Sequence, residues 1–314
     1  MPGPQQAQSD ARPSFFTPSE QTRRSIVADY VALTKPRIIS LLLLTTLAGM
    51  IIATGELPSL ALALATLTGG ALMAGGANAM NSYLDREMDR HMSRTRLRPV
   101  PAGRIDPLHA LAFALALTLF AFLLLALVVN LISAVLAFSG FLIYVLLYTL
   151  WSKRTTPLGV LIGGLAGAVP PLVGWAAAKG SIELNAFTLY AIVALWQVPH
   201  TWALSLMLYK DYTRAAVPVL PVVAGEALTR RWVLQTSILL LAGSLLPFAT
   251  GLGSPFYLAA AVILGGRFVW MAWVLERRPE RIRSVQLYKY SLLYLALIFM
   301  ALAADRILYM TILR

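Results

Sequence analysis

Residues 107–151 read PLHALAFALALTLFAFLLLALVVNLISAVLAFSGFLIYVLLYTLW, without one Asp, Glu, Lys or Arg. A helix rises about 1.5 Å per residue, so roughly 20 residues cross the apolar interior of a bilayer. The run is twice that length and must fold back on itself. Between Val128 and Leu131 only Asn130 offers a turn. The stretch therefore predicts two spanning helices, near 107–128 and 130–151. Comparable segments lie near 34–54, 58–80, 158–178, 186–208, 232–250, 256–275 and 287–311. The short break from Thr250 to Pro255 is split for the same reason of length. The expected fold class is all-α, a polytopic membrane protein of nine transmembrane helices.

Composition agrees. The chain has 314 residues, 58% of them hydrophobic and 13% charged, where soluble domains carry about 25% charged residues. Too little polar surface is left to cover a soluble globule, and a disordered chain is excluded with it. The absence of cysteine excludes disulfides and thiolate chemistry. The formal net charge of +12 would suggest nucleic acid in a soluble protein. Here the cations lie between apolar segments, so the expected partners are the bilayer face and anionic substrates, with no nucleic acid. Under alternating spans the cations fall on one side, apart from Lys179, Arg267, Arg306 and Arg314. That bias predicts a cytoplasmic N-terminus and an outer C-terminus, and the lack of a transit signature in residues 1–29 points to a bacterial plasma (inner) membrane rather than a mitochondrial one. Residues 1–29 lack the apolar core of a secretory signal and contain Asp10, Glu20 and Asp29. They read as a disordered cytoplasmic tail ahead of one domain, 30–314.

The exit of the second segment reads Asn78-Ala-Met-Asn81-Ser-Tyr-Leu-Asp85-Arg-Glu-Met-Asp89-Arg90. Asn81, Asp85 and Asp89 recur every four residues and share one helical face, with Asn78 nearby. Oxygen donors without sulfur or clustered imidazole favour Mg²⁺, which bridges to substrate phosphates. Arg90, Arg94, Arg96 and Arg98 then read as diphosphate partners. A solvated helix end is the competing reading. Against it, the two carboxamides extend the polar face back into an apolar helix, where polar groups are costly.

This motif, with Arg94-Thr95-Arg96-Leu97-Arg98-Pro99 and Pro101-Ala102-Gly103-Arg104 after it, resembles the UbiA-type intramembrane prenyltransferase superfamily. Further matching blocks are Thr34-Lys35-Pro36-Arg37, Tyr148-Thr149-Leu150-Trp151-x-Lys153-Arg154 and Gly163-Gly164-x-x-Gly167-Ala168-x-Pro170-Pro171-x-x-Gly174-Trp175. Trp196-Gln197-x-Pro199-His200-x-Trp202, Asp211-Tyr212 and Pro218-Val219-Leu220-Pro221 complete the set. The block from Trp196 to Trp202 is similar to the haem-farnesylating branch. The resemblance implies nine helices around a central cavity and Mg²⁺-dependent transfer of farnesyl from farnesyl diphosphate to a vinyl group of haem B, giving haem O and diphosphate. Haem is then a substrate, and haem A synthase is a candidate partner.

Within that scheme Asn81, Asp85 and Asp89 hold the metal, and Arg94, Arg98, Lys153 and Arg154 neutralise the leaving diphosphate. Many members carry a second Asp-rich motif after the segment corresponding to 186–208, where this chain offers only Asp211, the candidate second carboxylate and metal ligand. Asn78, Tyr148, Trp196, Trp202 and Tyr212 are candidates for the cavity and acceptor, and aromatic faces can steady an allylic cation. Trp151 is a further aromatic candidate, although such residues also anchor helices at the interface. His200 either meets haem iron or a propionate, or bonds a neighbouring helix. Gly159, Gly163 and Gly167 read as close helix packing, and Pro170 and Pro171 as a kink. Rival readings are prenylation of another aromatic or quinone ring, a secondary transporter, and a structural haem-handling assembly protein.

Overall fold

The computed structural model describes residues 25–92, 95–214 and 217–312, and among them it is helical with no strand. The long elements are α1 (Ile26–Thr34), α2 (Pro36–Thr54) and α3 (Leu60–Leu84). The short α4 (Arg86–Arg90) is followed by α5 (Pro107–Val129), α6 (Leu131–Thr155) and α7 (Gly159–Lys179). Next come α8 (Leu184–Met207), the short α9 (Tyr209–Arg214) and α10 (Leu220–Ala224), then α11 (Glu226–Ala249). The last two are α12 (Pro255–Arg277) and α13 (Arg281–Ile312).

Eight described helices are long and apolar enough to cross a membrane: α2, α3, α5, α6, α7, α11, α12 and α13. Helix α8 is 24 residues long but is not among those eight. Gln197, Pro199, His200 and Thr201 break its apolar run, so its claim to a ninth crossing rests on length. Asn130 alone makes the turn between α5 and α6. Its backbone is extended (φ −168°, ψ 160°) and its side chain accepts from the Ser133 amide, capping α6. Its Nδ2 donates to the Ala176 carbonyl at 2.9 Å, tying the turn to α7. The second short break holds because Gly251 takes a positive φ of 73°. There Asp305 accepts from the Ser254 amide at 2.8 Å.

Helix α1 starts inside the segment read from sequence as a tail. Ser25 caps it, and the buried Asp29 accepts from Arg104 Nε and Nη2 at 3.0–3.1 Å. Asp29 is thus a clamp between α1 and the loop after α4. Asp29→Asn is expected to lower stability by about 2 kcal/mol, the scale of a lost hydrogen bond between charged groups, read as a lower Tm in detergent.

Helix α7 breaks at Ala168, just before the proline pair, because a proline ring opposes a continuous helix through the preceding turn. Its second half, Val169–Lys179, is wedged between two cores. Leu172 and Trp175 pack with α8 and α13, whereas Val169 and Val173 pack with α3, α5 and α6. Glycines allow α2 to lie against it. A Cβ at Gly49 would sit 2.5 Å from the Pro171 carbonyl oxygen, and one at Gly174 would sit 1.9 Å from that of Thr46.

Candidate active site

The polar strip runs from the last turns of α3, which hold Asn78 and Asn81, through Asp85 at the break between α3 and α4 to Asp89 in α4. Asn78, Asn81, Asp85 and Asp89 are all buried, the two carboxylates at 1% and 3% exposure. Carboxylates this deeply buried are costly without charged or hydrogen-bonding partners. Asp85 accepts from Lys153 Nζ at 2.5 Å and from Asn81 Nδ2 at 2.7 Å, both on Oδ2. Arg154 Nη2 lies 3.5 Å from its Oδ1 and donates to the Leu84 carbonyl at 2.9 Å. Asp89 accepts from Arg98 Nη1 at 2.7 Å. Thr95 Oγ1 donates to the Asp89 carbonyl, which folds the loop back over the strip.

Lys35, absent from the sequence-derived site, completes the arrangement. It is the only non-glycine residue with positive φ (55°) among the described residues, a conformation that costs energy unless its surroundings hold it. Here Nζ donates to Asn81 Oδ1 at 2.8 Å, and Asn78 Nδ2 donates to the Thr34 carbonyl at 2.9 Å. Burial, then the Arg98 and Lys153 cations, lower the Lys35 ammonium from 10.5 to about 7, while Asp89 and Asp85 pull the other way. Thr149 is a second addition. A π-helical stretch, Ile143–Ser152, lets Thr149 Oγ1 donate five residues back to Tyr144 and accept from Asn81 Nδ2 at 3.3 Å.

Asn78 also lines a cavity of about 230 Å³ among α2, α3, α6, α7 and α8. Its wall is mainly apolar, with Met73, Phe141 and Val173, and Asn78, Tyr144 and Gln197 add polar points. The carboxylates follow Asn78 on successive turns toward the helix end, so the charged strip leads away from an apolar chamber. Gly163 and Gly164 allow the Tyr148 ring and the Gln197 side chain to approach, and Gly167 faces the chamber.

Other sequence-derived candidates go elsewhere. Arg94 lies outside the described residues. Arg90 pairs with Glu87 at 2.9 Å on the surface, and Arg96 is exposed, so Arg98 is the one described arginine of that run that reaches the acids. Tyr148 stands beside the chamber against Gly163 and Tyr144, but Tyr144 lines it. Trp151 is 56% exposed. Trp196 donates to the Ser291 carbonyl at 2.7 Å and stacks on His200 at 4.4 Å. His200 Nδ1 meets Ser291 Oγ at 2.7 Å, and its ring stacks on Tyr288. Trp202 packs on Trp232. None of these three lines the chamber; of the two readings of His200, the structure displays the bond to a neighbouring helix. Asp211 lines a separate cavity with Arg214, Arg230 and Arg281, because α9 turns it there; Tyr212 lines neither cavity.

Among the described residues no three of His, Asp and Glu converge, so Asp211 does not join the strip as a third acid. Two carboxylates and a carboxamide still fit Mg²⁺, which keeps most of its waters and takes one or two carboxylates plus substrate phosphate oxygens.

Helices packed around an apolar chamber, with buried acids and matched cations at one end, define the class as an integral membrane protein with an internal polar site. The chain belongs to the UbiA prenyltransferase family, which matches residues 42–304. A protoheme IX farnesyltransferase of Roseiflexus sp. is 49% identical over 91% of this chain and 53% of that protein. Proteins of the same name from Symbiobacterium thermophilum (48% identical; 89% and 94% covered) and Synechocystis sp. (45%; 90% and 90%) also match. The chain spans about half the length of the Roseiflexus and Chloroflexus relatives. A digeranylgeranylglyceryl phosphate synthase shares the fold at TM-score 0.74 and 18% identity, with 90% of this chain and 98% of that one aligned. A UbiA homolog from Archaeoglobus fulgidus bound to GPP and Mg²⁺ aligns at 0.63 and 15%, covering 87% and 99%.

Proposed function

We propose that this chain transfers a farnesyl group from farnesyl diphosphate to a vinyl group of haem B, giving haem O and diphosphate. The observation that carries the reading is the pairing of Asn81, Asp85 and Asp89 with Lys35, Lys153 and Arg98 where the apolar chamber ends. The names of the relatives supply the acceptor. Nine crossings, a cytoplasmic N-terminus and a site on the cytoplasmic face of a bacterial plasma membrane complete the proposal.

Diphosphate leaves an allylic carbon readily only when its growing charge is met. Lys153, Arg154 and Arg98 already stand around the acids, so they meet phosphate oxygens without rearranging from solvent. Asn81, Asp85 and Asp89 would hold Mg²⁺. The bound ion supplies Lewis-acid neutralisation of the diphosphate. The apolar wall with Met73 and Phe141 holds the isoprenoid and keeps water from the cation left as the C–O bond breaks. The vinyl π pair forms the new C–C bond to farnesyl C1. Water adds to the resulting cation beside the porphyrin ring and loses a proton, leaving a hydroxyl.

The test is mass analysis of products from membranes bearing the chain, incubated with farnesyl diphosphate and haem B. A haem carrying one added farnesyl and one hydroxyl group, formed with Mg²⁺ and absent with chelator, is the expected result. Prenylated benzoate in place of haem would reassign the acceptor, and uptake into vesicles without turnover would make the chain a transporter.

A further inference from the structure

Helix α12 carries a cation where hydrocarbon is expected. Arg267 is exposed and stands near the middle of Pro255–Arg277, roughly 15 Å from either end at 1.5 Å per residue. Around it runs an outward stripe: Phe256 (82% exposed), Ile263 (70%), Trp270 (60%) and Trp273 (46%). Side chains three and four apart share a helix face, so Arg267 is the charged centre of an apolar strip. Long cations near helix ends escape to the interface. This guanidinium instead lies over the Tyr290 ring, 5.0 Å from its centroid. That ring is held at the same depth by a hydrogen bond from its hydroxyl to the Leu264 carbonyl. Among the described residues Arg267 has no ion-pair partner. Beside it, a Cβ at Gly266 would meet nothing within 4 Å, and such small residues let two helix backbones approach closely.

We propose that this stripe docks a transmembrane helix of another protein that carries an Asp or Glu at mid-depth. A charge in hydrocarbon calls for a counter-charge, and a lipid phosphate lies at the interface, too far along the helix to supply it. A second copy of this chain supplies none either. Among the eight described spans the acids lie near helix ends, and Asp305, four residues before the end of its span, is buried and bonded to Ser254 at the start of α12. Two copies meeting on this stripe would oppose Arg267 to Arg267.

The test reconstitutes the full chain in liposomes with a labelled leucine–alanine transmembrane peptide bearing one central Glu, and with its central-Leu counterpart, reading association by energy transfer. The Glu peptide is expected to associate at least tenfold more tightly than the Leu peptide. Arg267→Met should remove that difference, Arg267→Lys should keep most of it, and Gly266→Leu should weaken it by blocking close approach. Unchanged elution and thermal unfolding establish that the variants fold. Equal association of both peptides, or retained preference in Arg267→Met, overturns the proposal. So does self-association of the chain that Arg267→Met abolishes, since the occupant would then be a second copy.

Discussion

Asp85→Asn is expected to abolish the proposed farnesyl transfer, lowering kcat by about 10³-fold or more, while the chain still inserts and folds. The carboxamide keeps the shape of the side chain and an oxygen for Lys153 Nζ, now 2.5 Å away. It loses the charge that would grip the metal and hold two cations where the diphosphate forms. Removing one preorganised charge from such a site costs about 10²–10³ in rate, and weakened metal binding adds to it. Stability falls as well. Lys153 is only 22% exposed, and breaking a buried pair costs about 3–5 kcal/mol. The lower end applies, because Arg154 is 40% exposed and water screens it. Steady-state kinetics with both substrates, beside thermal unfolding in detergent, separate the two effects. Turnover within tenfold of the unaltered chain rejects the assigned role. Asp89→Asn should behave alike through Arg98, and the double variant should be scarcely worse than either, since both act on one bound group.

What could be read in the sequence was local. The spans follow from apolar run length, and even the thin turn at Asn130 was legible, because no helix can continue for twice the bilayer thickness. The strip from Asn78 to Asp89 was legible because four-residue spacing keeps one face, although the structure divides it between α3 and α4 with Asp85 at the break. Its partners were not. Lys35 reaches Asn81 only through a left-handed backbone between α1 and α2. Thr149 reaches it only through a π-helical stretch that no spacing rule announces. Which arginine meets Asp89 depends on the path of the loop after α4, so Arg98 pairs while Arg90 and Arg96 turn outward. On α8, periodicity shows that Trp196 and His200 share a face but not which neighbour takes that face, and Ser291, far along the chain, takes both. Asp211 follows the same logic: its type suggested a metal ligand, and the turn into α9 carries it to another cavity.

The second large effect concerns Gly174, and its sign is the informative part. Gly174 sits inside the second half of α7, where alanine normally stabilises a helix by about 1 kcal/mol relative to glycine. Gly174→Ala is nevertheless expected to destabilise the chain by about 2 kcal/mol or more. The added Cβ would stand 1.9 Å from the Thr46 carbonyl oxygen, 2.8 Å from its carbon and 3.1 Å from the Met50 nitrogen. All three are backbone atoms of α2, so no rotamer change relieves the contact and the two helices must separate. Overpacking of that kind costs about 1–3 kcal/mol and sometimes more. Gly167→Ala is the matched control. There a Cβ meets only Gln197 Oε1, at 3.7 Å, so stability should hold or rise while the methyl group intrudes on the chamber. The two variants should therefore split in opposite ways. Gly174→Ala lowers Tm, and it lowers turnover because Thr46 and Val173, on the helices forced apart, both line the chamber. Gly167→Ala keeps Tm and alters the KM for the proposed isoprenoid substrate. A Gly174→Ala chain as stable as the unaltered one would mean that α2 and α7 are not packed backbone to backbone, and the chamber they enclose would have to be redrawn.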